Sequence, residues 1–245
     1  MGFDIAVDDG VLRVRSADSR WLSTGWDGGY VSSDLVYNVT VPEGWTRTDL
    51  DAYVRERVRA TRFGDAPDTV DSAPALLTGV DMEHARVARA DNVTAVTTAG
   101  LSNPAVLPQP SEAGTGQDSR PGRAGRQGPG TVNIIVGTER RLTDGALANL
   151  VAVVAEAKTS TLLAVADVPG TTTDAVVVGS ARDGPTTPFS GTGTDVGMAA
   201  RACVRDALLA SLRSRYGDSL EAATSAVAEA PYGVGAHPVT EVTRR

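Results

Sequence analysis

The stretch Val132-Asn133-Ile134-Ile135-Val136, followed after a short polar segment by Thr143-Asp144-Gly145-Ala146-Leu147, decides the fold. Its first part is too apolar to face water on either side, which is typical of a central strand of a β-sheet. Its second part predicts a long helix from Asp144 to about Val165, with Thr143 as the N-cap and the Asp144 carboxylate stabilising the positive end of the helix dipole. Together the two parts predict a sheet with a helix packed over it.

Further elements flank this stretch on both sides. The pattern predicts a helix over residues 48–63 with Thr48 as its N-cap, a turn at Gly28-Gly29 and a last helix from about Asp195 to Arg215. Short apolar or alternating runs predict strands over residues 11–14, 35–41, 75–80, 93–98 and 175–178. We therefore predict a mixed α/β (α+β) fold with mixed sheets covered by long helices. A layered αββα sandwich is one arrangement that meets this description.

Residues 109–130 differ from the rest of the chain. They are rich in Pro, Gly, Ser, Gln and Arg, and contain almost no large apolar side chain. Such a segment buries too little surface to offset the entropy of ordering it, so we expect a mobile insertion. Because the patterned sequence resumes directly afterwards, residues 1–245 are predicted to form a single domain.

Charge and composition limit the partners that this chain can bind. The formal net charge is −7 and the pI is about 4.9, which argues against nucleic acid and against an anionic membrane surface. No apolar run reaches the roughly 18 residues of a membrane helix. The first ten residues lack the layout of a signal peptide, so we predict a cytoplasmic protein. No oligomeric state is predicted.

Metal and disulfide chemistry also have little support. Cys203 is the single cysteine, which excludes an intramolecular disulfide and a cysteine zinc site. The two histidines, His84 and His237, are not part of an H-E-x-x-H motif. We expect no metal site and no required cofactor. A Ser–His–Asp triad stays open, although no G-x-S-x-G motif accompanies it.

Lys158 is the single lysine in a chain that otherwise uses arginine. At about 100° per residue it projects onto the apolar stripe of Leu147, Leu150 and Val154, whereas Glu156 projects to the opposite side. One interpretation is a snorkelling side chain whose ammonium group reaches water. The other is a partly desolvated ammonium group with a carboxylate partner, which serves as an electrophile or as a base.

Three polar turns could line a site. Gly170-Thr171-Thr172-Thr173-Asp174 and Ser190-Gly191-Thr192-Gly193-Thr194-Asp195 combine Gly, hydroxyl residues and Asp, and Ala99-Gly100-Leu101-Ser102-Asn103-Pro104 follows a buried strand. Gly-rich backbone at a helix N-terminus presents free N–H groups to an anion. Polar turns at strand ends often line sites in α/β proteins. Ordinary turn and capping chemistry explains each of these segments equally well.

Several of these segments, taken together, resemble the adenosylcobinamide amidohydrolase family. The similarity runs through Thr97–Pro104, Gly130–Val136, Leu142–Leu147, Glu156–Thr159 and Gly170–Val178, with Gly28-Gly29 and Asn38 near the start. Thr172 replaces the second glycine of the family's G-T-G-T-D pattern, while Asp174 is retained. A Gly-Thr-Gly-Thr-Asp run is found instead at Gly191–Asp195.

The resemblance implies hydrolysis of the aminopropanol amide of adenosylcobinamide to adenosylcobyric acid, in the salvage of cobinamide for cobamide (vitamin B12) synthesis. The partner is then a small-molecule corrinoid that carries its own cobalt. Hydrolysis of an amide needs a nucleophile, stabilisation of the oxyanion and a proton for the amine. On this hypothesis Asp174 or Glu156 orients water and Lys158 stabilises the oxyanion or protonates the amine.

The substrate-binding residues are assigned on the same chemical grounds. Ser102 and Asn133 would hold the amide, and we expect Asn103, Thr131, Thr172 and Thr173 to complete the binding site. A covalent Thr131 or Ser102 nucleophile is the alternative mechanism. Two other functions stay open: a non-catalytic corrinoid carrier, and an amidase of other specificity with a Thr or Ser nucleophile, released for example by self-cleavage before Thr131.

Overall fold

The computed structural model describes residues 2–42, 44–106 and 130–228. The predicted insertion, residues 109–130, therefore lies outside the described residues except for Gly130. His237 also lies outside them.

The described residues form eleven strands and five α-helices. The strands are β1 (Asp4–Asp8), β2 (Val11–Arg15), β3 (Ser19–Ser23), β4 (Gly29–Ser32), β5 (Leu35–Thr40), β6 (Ala75–Thr78), β7 (Arg86–Ala90), β8 (Val93–Ala99), β9 (Val132–Leu142), β10 (Ala175–Ala181) and β11 (Thr186–Thr187). The helices are α1 (Leu50–Ala60), α2 (Pro67–Asp71), α3 (Asp144–Ala166), α4 (Asp195–Tyr216) and α5 (Glu221–Ala228).

The strands pair into two mixed sheets. The smaller sheet has the order β1-β2-β5-β6, in which β5 and β6 are parallel. The larger sheet has the order β4-β3-β10-β9-β8-β7, with β11 added to β9. At its centre β9 and β10 run parallel, and β3 and β8 flank them antiparallel.

Three hydrophobic cores separate four layers. Val39, Tyr53 and Val58 belong to the core between α1 and the smaller sheet. Trp21 and Ile135 belong to the core between the two sheets. The third and largest core joins the larger sheet to α3, α4 and α5, and includes Ile134, Leu150, Leu208 and Ala223. The predicted mixed α/β fold is confirmed, and its layers follow the order αββα.

The burial of β9 explains why its sequence decides the fold. Ile134 faces the helix-side core and Ile135 faces the core between the sheets, so both faces of the strand are covered. α3 begins where predicted, because the Thr143 side chain accepts a hydrogen bond from the Ala146 amide. The predicted cap of the first helix is wrong. That helix begins at Leu50 after Asp49, which makes no side-chain capping bond.

The sequence pattern is weak for several of the strands. The sequence pattern indicates short strands over the first forty residues, but it gives no bounds for β1, β3 and β4 and does not indicate β7 or β11. In β7 the burial alternates between half-buried and exposed, so its apolar pattern is weak. In β3 the buried positions include Ser19 as well as the fully buried Trp21, and Arg20 lies between them. The polar residues mask the apolar alternation that would indicate a strand.

α3 is the described helix that is long and apolar enough to cross a membrane by length and composition. In the fold it packs on β9, β10 and α4, and Leu147, Leu150 and Val154 are buried there. Its apolar composition therefore serves the largest core of the domain.

Candidate active site

Four chain segments meet at one end of the larger sheet. The parallel strands β9 and β10 start side by side, with Asn133 paired to Ala175. β8 ends at the same level, because Ala99 pairs with Val132 in the antiparallel ladder. The segment that follows β8 lies against the turn before β10, and Ala105 N donates a hydrogen bond to Gly170 O there at 2.9 Å. This arrangement brings the polar turns around residues 102 and 172 together.

The Asp174 carboxylate organises this cluster. Its Oδ1 atom accepts hydrogen bonds from Val132 N at 3.0 Å and from Thr171 Oγ1. Its Oδ2 atom accepts from Thr171 N at 3.0 Å and from Lys158 Nζ. Both oxygens therefore already accept two hydrogen bonds from described residues, and the side chain is 10% exposed. Asp174 ties the start of β9, its own turn and α3 to one carboxylate.

Lys158 lies on the core-facing side of α3, as its helical phase predicts. Its side chain is only 13% exposed, and its ammonium group pairs with Asp174. A Cβ atom at Gly170 would lie 2.8 Å from Lys158 Nζ, so the absence of a side chain there leaves space for the ammonium group. Of the two interpretations of the lone lysine, the structure agrees with a partly desolvated ammonium group that has a carboxylate partner.

Hydroxyl and amide groups surround the pair. Thr131 Oγ1 and Thr173 Oγ1 share a hydrogen bond of 2.6 Å. Asn103 is fully buried, and its Nδ2 atom donates to Thr172 Oγ1 at 2.8 Å. The backbone joins the same residues, since Thr172 N donates to Asn103 O at 3.1 Å. The structure thus brings together Thr131, Thr172, Thr173 and Asn103, four residues predicted from the sequence.

Ser102 reaches the cluster from the turn after β8. Its Oγ atom is buried and has no hydrogen-bond partner among the described residues. A Cβ atom at Gly130 would meet Ser102 N and Oγ closely, so these two segments are in direct contact. An unpaired buried hydroxyl is costly, which marks this position as a place where a ligand group can bind.

Asn133 faces the space between the two sheets. Its Nδ2 atom donates to Asn38 Oδ1 and to Leu77 O, each at 2.9 Å, and Asn38 Nδ2 donates to Thr98 Oγ1 at 2.9 Å. The Asn133 Oδ1 atom is buried without a partner among the described residues. Alternation along β9 puts Asn133 on the face opposite Val132 and Ile134. Its amide therefore joins the two sheets beside the cluster.

Glu156 is separated from this cluster. Its side chain is 60% exposed and its Oε2 atom lies 3.5 Å from Arg201 NH1 of α4. The reason is helical phase: two residues along a helix rotate the side chain by about 200°, so Glu156 and Lys158 project in opposite directions. We therefore correct the catalytic assignment of Glu156, which belongs to a surface ion pair.

One residue of the cluster was missed from the sequence. Thr171 binds Asp174 through both its amide and its hydroxyl group. It stands in the same Gly-Thr-Thr-Thr-Asp run as the predicted Thr172 and Thr173. The available signal was its position three residues before Asp174, which is the spacing of a side chain that accepts from a backbone amide in a turn.

Within residues 2–42, 44–106 and 130–228, no group of three or more His, Cys, Asp or Glu side chains could hold a metal ion. His84 Nδ1 lies 3.0 Å from Ser214 Oγ of α4, and Arg86 donates to the same hydroxyl. These bonds connect the turn before β7 to α4.

The arrangement offers what acyl transfer requires. The Asp174 carboxylate holds the Lys158 ammonium group, and the hydroxyl groups of Thr131 and Thr173 lie beside this pair. The buried Ser102 hydroxyl group has no hydrogen-bond partner among the described residues. A cation in a poorly hydrated site stabilises a developing oxyanion more strongly than it would in water.

Comparisons with known proteins agree with this chemistry. The model of a family described as adenosylcobinamide amidohydrolase matches residues 4–220. An adenosylcobinamide amidohydrolase of Halobacterium salinarum is 50% identical over 224 residues, which cover 91% of this chain and 93% of the relative. A protein of the same name from Methanosarcina mazei is 29% identical over 220 residues, covering 85% of this chain and 97% of the relative.

Among solved structures, a beta-aminopeptidase of Burkholderia sp. aligns with a TM-score of 0.40 and 14% identity, over 91% of this chain and 87% of that chain. The sequence comparisons are much closer, and they cover the whole cluster around Lys158 and Asp174. They confirm the prediction of an amidohydrolase, and they show that this chain belongs to the adenosylcobinamide amidohydrolase family.

Proposed function

We propose that this protein hydrolyses the aminopropanol amide of adenosylcobinamide and releases adenosylcobyric acid and aminopropanol. The proposal is supported by family membership and by one structural observation, the buried ion pair of Lys158 and Asp174 among hydroxyl side chains. The substrate brings its own cobalt, and we propose that the protein itself needs no cofactor.

We assign to Lys158 the stabilisation of the negative charge that develops during the reaction. When the amide carbon is attacked, its oxygen gains negative charge, which the Lys158 ammonium group stabilises. The hydroxyl proton reaches the leaving nitrogen through Lys158: the ammonium group gives a proton to the nitrogen and takes up the proton of the attacking hydroxyl group in the same step, so its charge is unchanged. Over the full cycle one water is consumed, with one carboxyl group and one amine formed.

Asp174 is better suited to positioning than to the activation of water. Both of its oxygens already accept hydrogen bonds from Val132, Thr171 and Lys158. A general base needs a free acceptor within hydrogen-bond reach of the proton that it removes. We therefore assign Asp174 the role of holding the Lys158 ammonium group.

For the nucleophile we propose the Thr131 hydroxyl group, with a water molecule as the alternative. Thr131 lies next to the ion pair, because Val132 N donates to Asp174 and Thr131 shares a hydrogen bond with Thr173. A covalent ester on Thr131 would then be hydrolysed by water. The Ser102 hydroxyl and the Asn133 amide, both with a buried unpaired oxygen, are proposed to bind the substrate amide.

The biological setting is proposed from the same reaction. Adenosylcobyric acid is an intermediate of cobamide synthesis, so the cleavage serves corrinoid salvage in the cytoplasm. The acidic surface, with a net charge of −7, supports a small-molecule partner and disfavours nucleic acid and anionic membranes.

Incubation of the purified protein with adenosylcobinamide, followed by measurement of free aminopropanol, tests the function directly. Release of aminopropanol supports hydrolysis. Tight binding without release would contradict it in favour of a corrinoid carrier. The test is carried out in low and high salt, because an acidic protein can require salt for folding.

Lys158→Arg and Lys158→Met separate charge from proton transfer. Both variants are expected to lower kcat by about 100-fold or more, which is the usual effect of removing one oxyanion-stabilising donor. Arg keeps the positive charge but cannot give up a proton, and its guanidinium group has a different shape. Full activity of Lys158→Arg would exclude Lys158 from proton transfer. Glu156→Gln is the matched control on the same helix and is expected to leave kcat unchanged.

A further inference from the structure

A cavity of about 310 Å³ lies at the edge of the smaller sheet, between α1 and the turn that joins β3 to β4. Its apolar wall comes from Leu50 and Val54 of α1 and from Leu77 of β6, and the turn between β3 and β4 closes one side. The volume is at the lower end of the range of about 300–1,000 Å³ for small-molecule sites. It can therefore hold a part of a large ligand, with the remainder outside.

Trp26 is the most prominent side chain of this cavity. Its side chain is 59% exposed although it is large and apolar, and its Nε1 atom donates to Asp51 Oδ1 of α1 at 3.2 Å. The hydrogen bond fixes the ring while leaving much of its surface open. The turn that carries it is tight, because a Cβ atom at Gly28 would collide with the Ser23 carbonyl oxygen. The Gly28-Gly29 pair thus presents a fixed aromatic ring to solvent.

The turn that carries Trp26 lies at the same end of the larger sheet as the cluster around Asp174. β3 runs antiparallel to β10 and ends near its start, where Thr24 N donates to Val176 O at 2.9 Å. The turn with Trp26 therefore follows at the end where Asp174 precedes β10. Leu77 lines the cavity, and its carbonyl oxygen accepts a hydrogen bond from Asn133, which lies next to the cluster at the start of β9.

The polar groups of the cavity limit the chemistry of its ligand. Asp27, Asp51 and Asp71 line it, with Arg55 as the basic residue, which pairs with Asp71 at 3.2 Å. The excess of carboxylates disfavours phosphate groups and favours ligands with N–H and O–H donors. An open tryptophan ring favours a flat heterocycle, because aromatic rings stack on bases of every type. A purine nucleoside without phosphate combines these properties.

We propose that the Trp26 cavity binds the adenosyl group of the substrate, with the adenine ring stacked on Trp26. This inference rests on the proposed function, since adenosylcobinamide carries a purine nucleoside on its cobalt. Binding of that group beside Leu77 and Asn133 positions the corrin side arm at the cluster. The cavity then distinguishes adenosylated corrinoids from those that lack the nucleoside.

Calorimetric titration with 5′-deoxyadenosine, adenosylcobinamide and cyanocobinamide tests this proposal, and the two corrinoids are titrated in the Lys158→Met background, in which cleavage of their amide is expected to be slow. In Trp26→Ala we expect Kd to rise about 5- to 100-fold for the two ligands that carry the nucleoside, and to change less than about twofold for cyanocobinamide. The Kd of Trp26→Phe for these two ligands should lie between the values for the wild type and for Trp26→Ala, because phenylalanine keeps an aromatic ring but a smaller one. Phe189→Ala is the matched control, since Phe189 is 71% exposed and lies outside the cavity lining.

The possible outcomes separate this inference from the proposed function. Equal loss of affinity for both corrinoids, or failure of the wild type to bind 5′-deoxyadenosine at millimolar concentration, overturns the adenosyl site even if aminopropanol is released. If instead the nucleoside binds through Trp26 but no aminopropanol appears, the adenosyl site stands and the hydrolase function fails. Because Trp26 is exposed, its variants are expected to fold, which circular dichroism checks.

Discussion

Lys158 on α3 and Asp174 before β10 form a buried ion pair across 16 residues of sequence, and their side chains are 13% and 10% exposed. The same carboxylate accepts the Val132 amide, so the pair also connects α3 to the start of the central strand β9. The ion pair to which we assign a catalytic role therefore also joins two elements of the fold.

Breaking this ion pair from one side should destabilise the protein. We expect Asp174→Ala to lower the free energy of unfolding by about 3–5 kcal/mol, because it leaves a buried ammonium group without its partner. The double variant Lys158→Met/Asp174→Ala should lose less than the sum of the two single variants, since no buried charge is left. Urea unfolding monitored by circular dichroism measures each value.

The exposed pair between Arg201 and Glu156 is the matched control for this experiment. Its side chains are 38% and 60% exposed, so Glu156→Ala should change the free energy of unfolding by no more than about 1 kcal/mol. Additive effects of the two buried substitutions would show that Lys158 and Asp174 are not energetically coupled.

The Thr131 hydroxyl group is testable as a nucleophile. We expect Thr131→Ala to lower kcat by about 100-fold or more with little effect on folding, and Thr131→Ser to keep activity, because serine retains the hydroxyl group. Intact mass after rapid quenching of the reaction should show a corrinoid ester on residue 131. Full activity of Thr131→Ala would assign the attack to water, and a chain cleaved before Thr131 would reveal self-processing.

A second buried charge network stabilises the outer layer of the fold. The Asp65 side chain is 1% exposed and accepts from Arg13 at 3.0 Å, from Arg15 at 3.3 Å and from Tyr37 Oη at 2.8 Å. Burial, followed by the hydrogen bond to Asp65, raises the pKa of Tyr37 well above its usual value. We expect Asp65→Ala to cost about 3–5 kcal/mol in unfolding experiments, because Arg13 then loses its buried partner and keeps only the 3.7 Å contact with the exposed Asp4.

Asp49→Ala is the control for this substitution, because Asp49 also pairs with an arginine but is 56% exposed. It should lower the free energy of unfolding far less than Asp65→Ala does, because water screens an exposed ion pair. If both variants lose a comparable free energy of unfolding, burial is not the reason why the Asp65 network stabilises the protein.

Cys203 should resist alkylation in the folded protein. It is 2% exposed on α4, and burial, together with the Asp206 carboxylate, raises the pKa of its thiol. The thiolate is the reactive form, and a raised pKa means that the thiol stays protonated at neutral pH and ionises only in more alkaline solution. Mass spectrometry should show no iodoacetamide adduct at pH 7.5 without denaturant and one adduct in urea. Rapid labelling of the native protein would contradict this prediction.

The candidate site shows how far sequence reasoning could reach. The helical phase of α3 was enough to turn Lys158 inward and Glu156 outward, because neighbours along a helix have fixed angular relations. No fixed angular relation connects α3 to the turn before β10. The sequence therefore indicates that Lys158 has a carboxylate partner but does not determine that this partner is Asp174. Thr171 was missed for a similar reason, since its bonds to Asp174 depend on the conformation of the turn.

The sequence by itself determined the elements whose signals are local. The apolar run of β9, the Thr143 cap of α3 and the spacing of apolar residues in α4 are readable because periodicity and capping involve neighbours in the chain. Only the tertiary structure decided which elements lie together: the order of the strands, the Asn133 amide between the sheets, and the Trp26 cavity beside Leu77. These relationships join residues that are distant in the chain, and they exist only after the layers have packed.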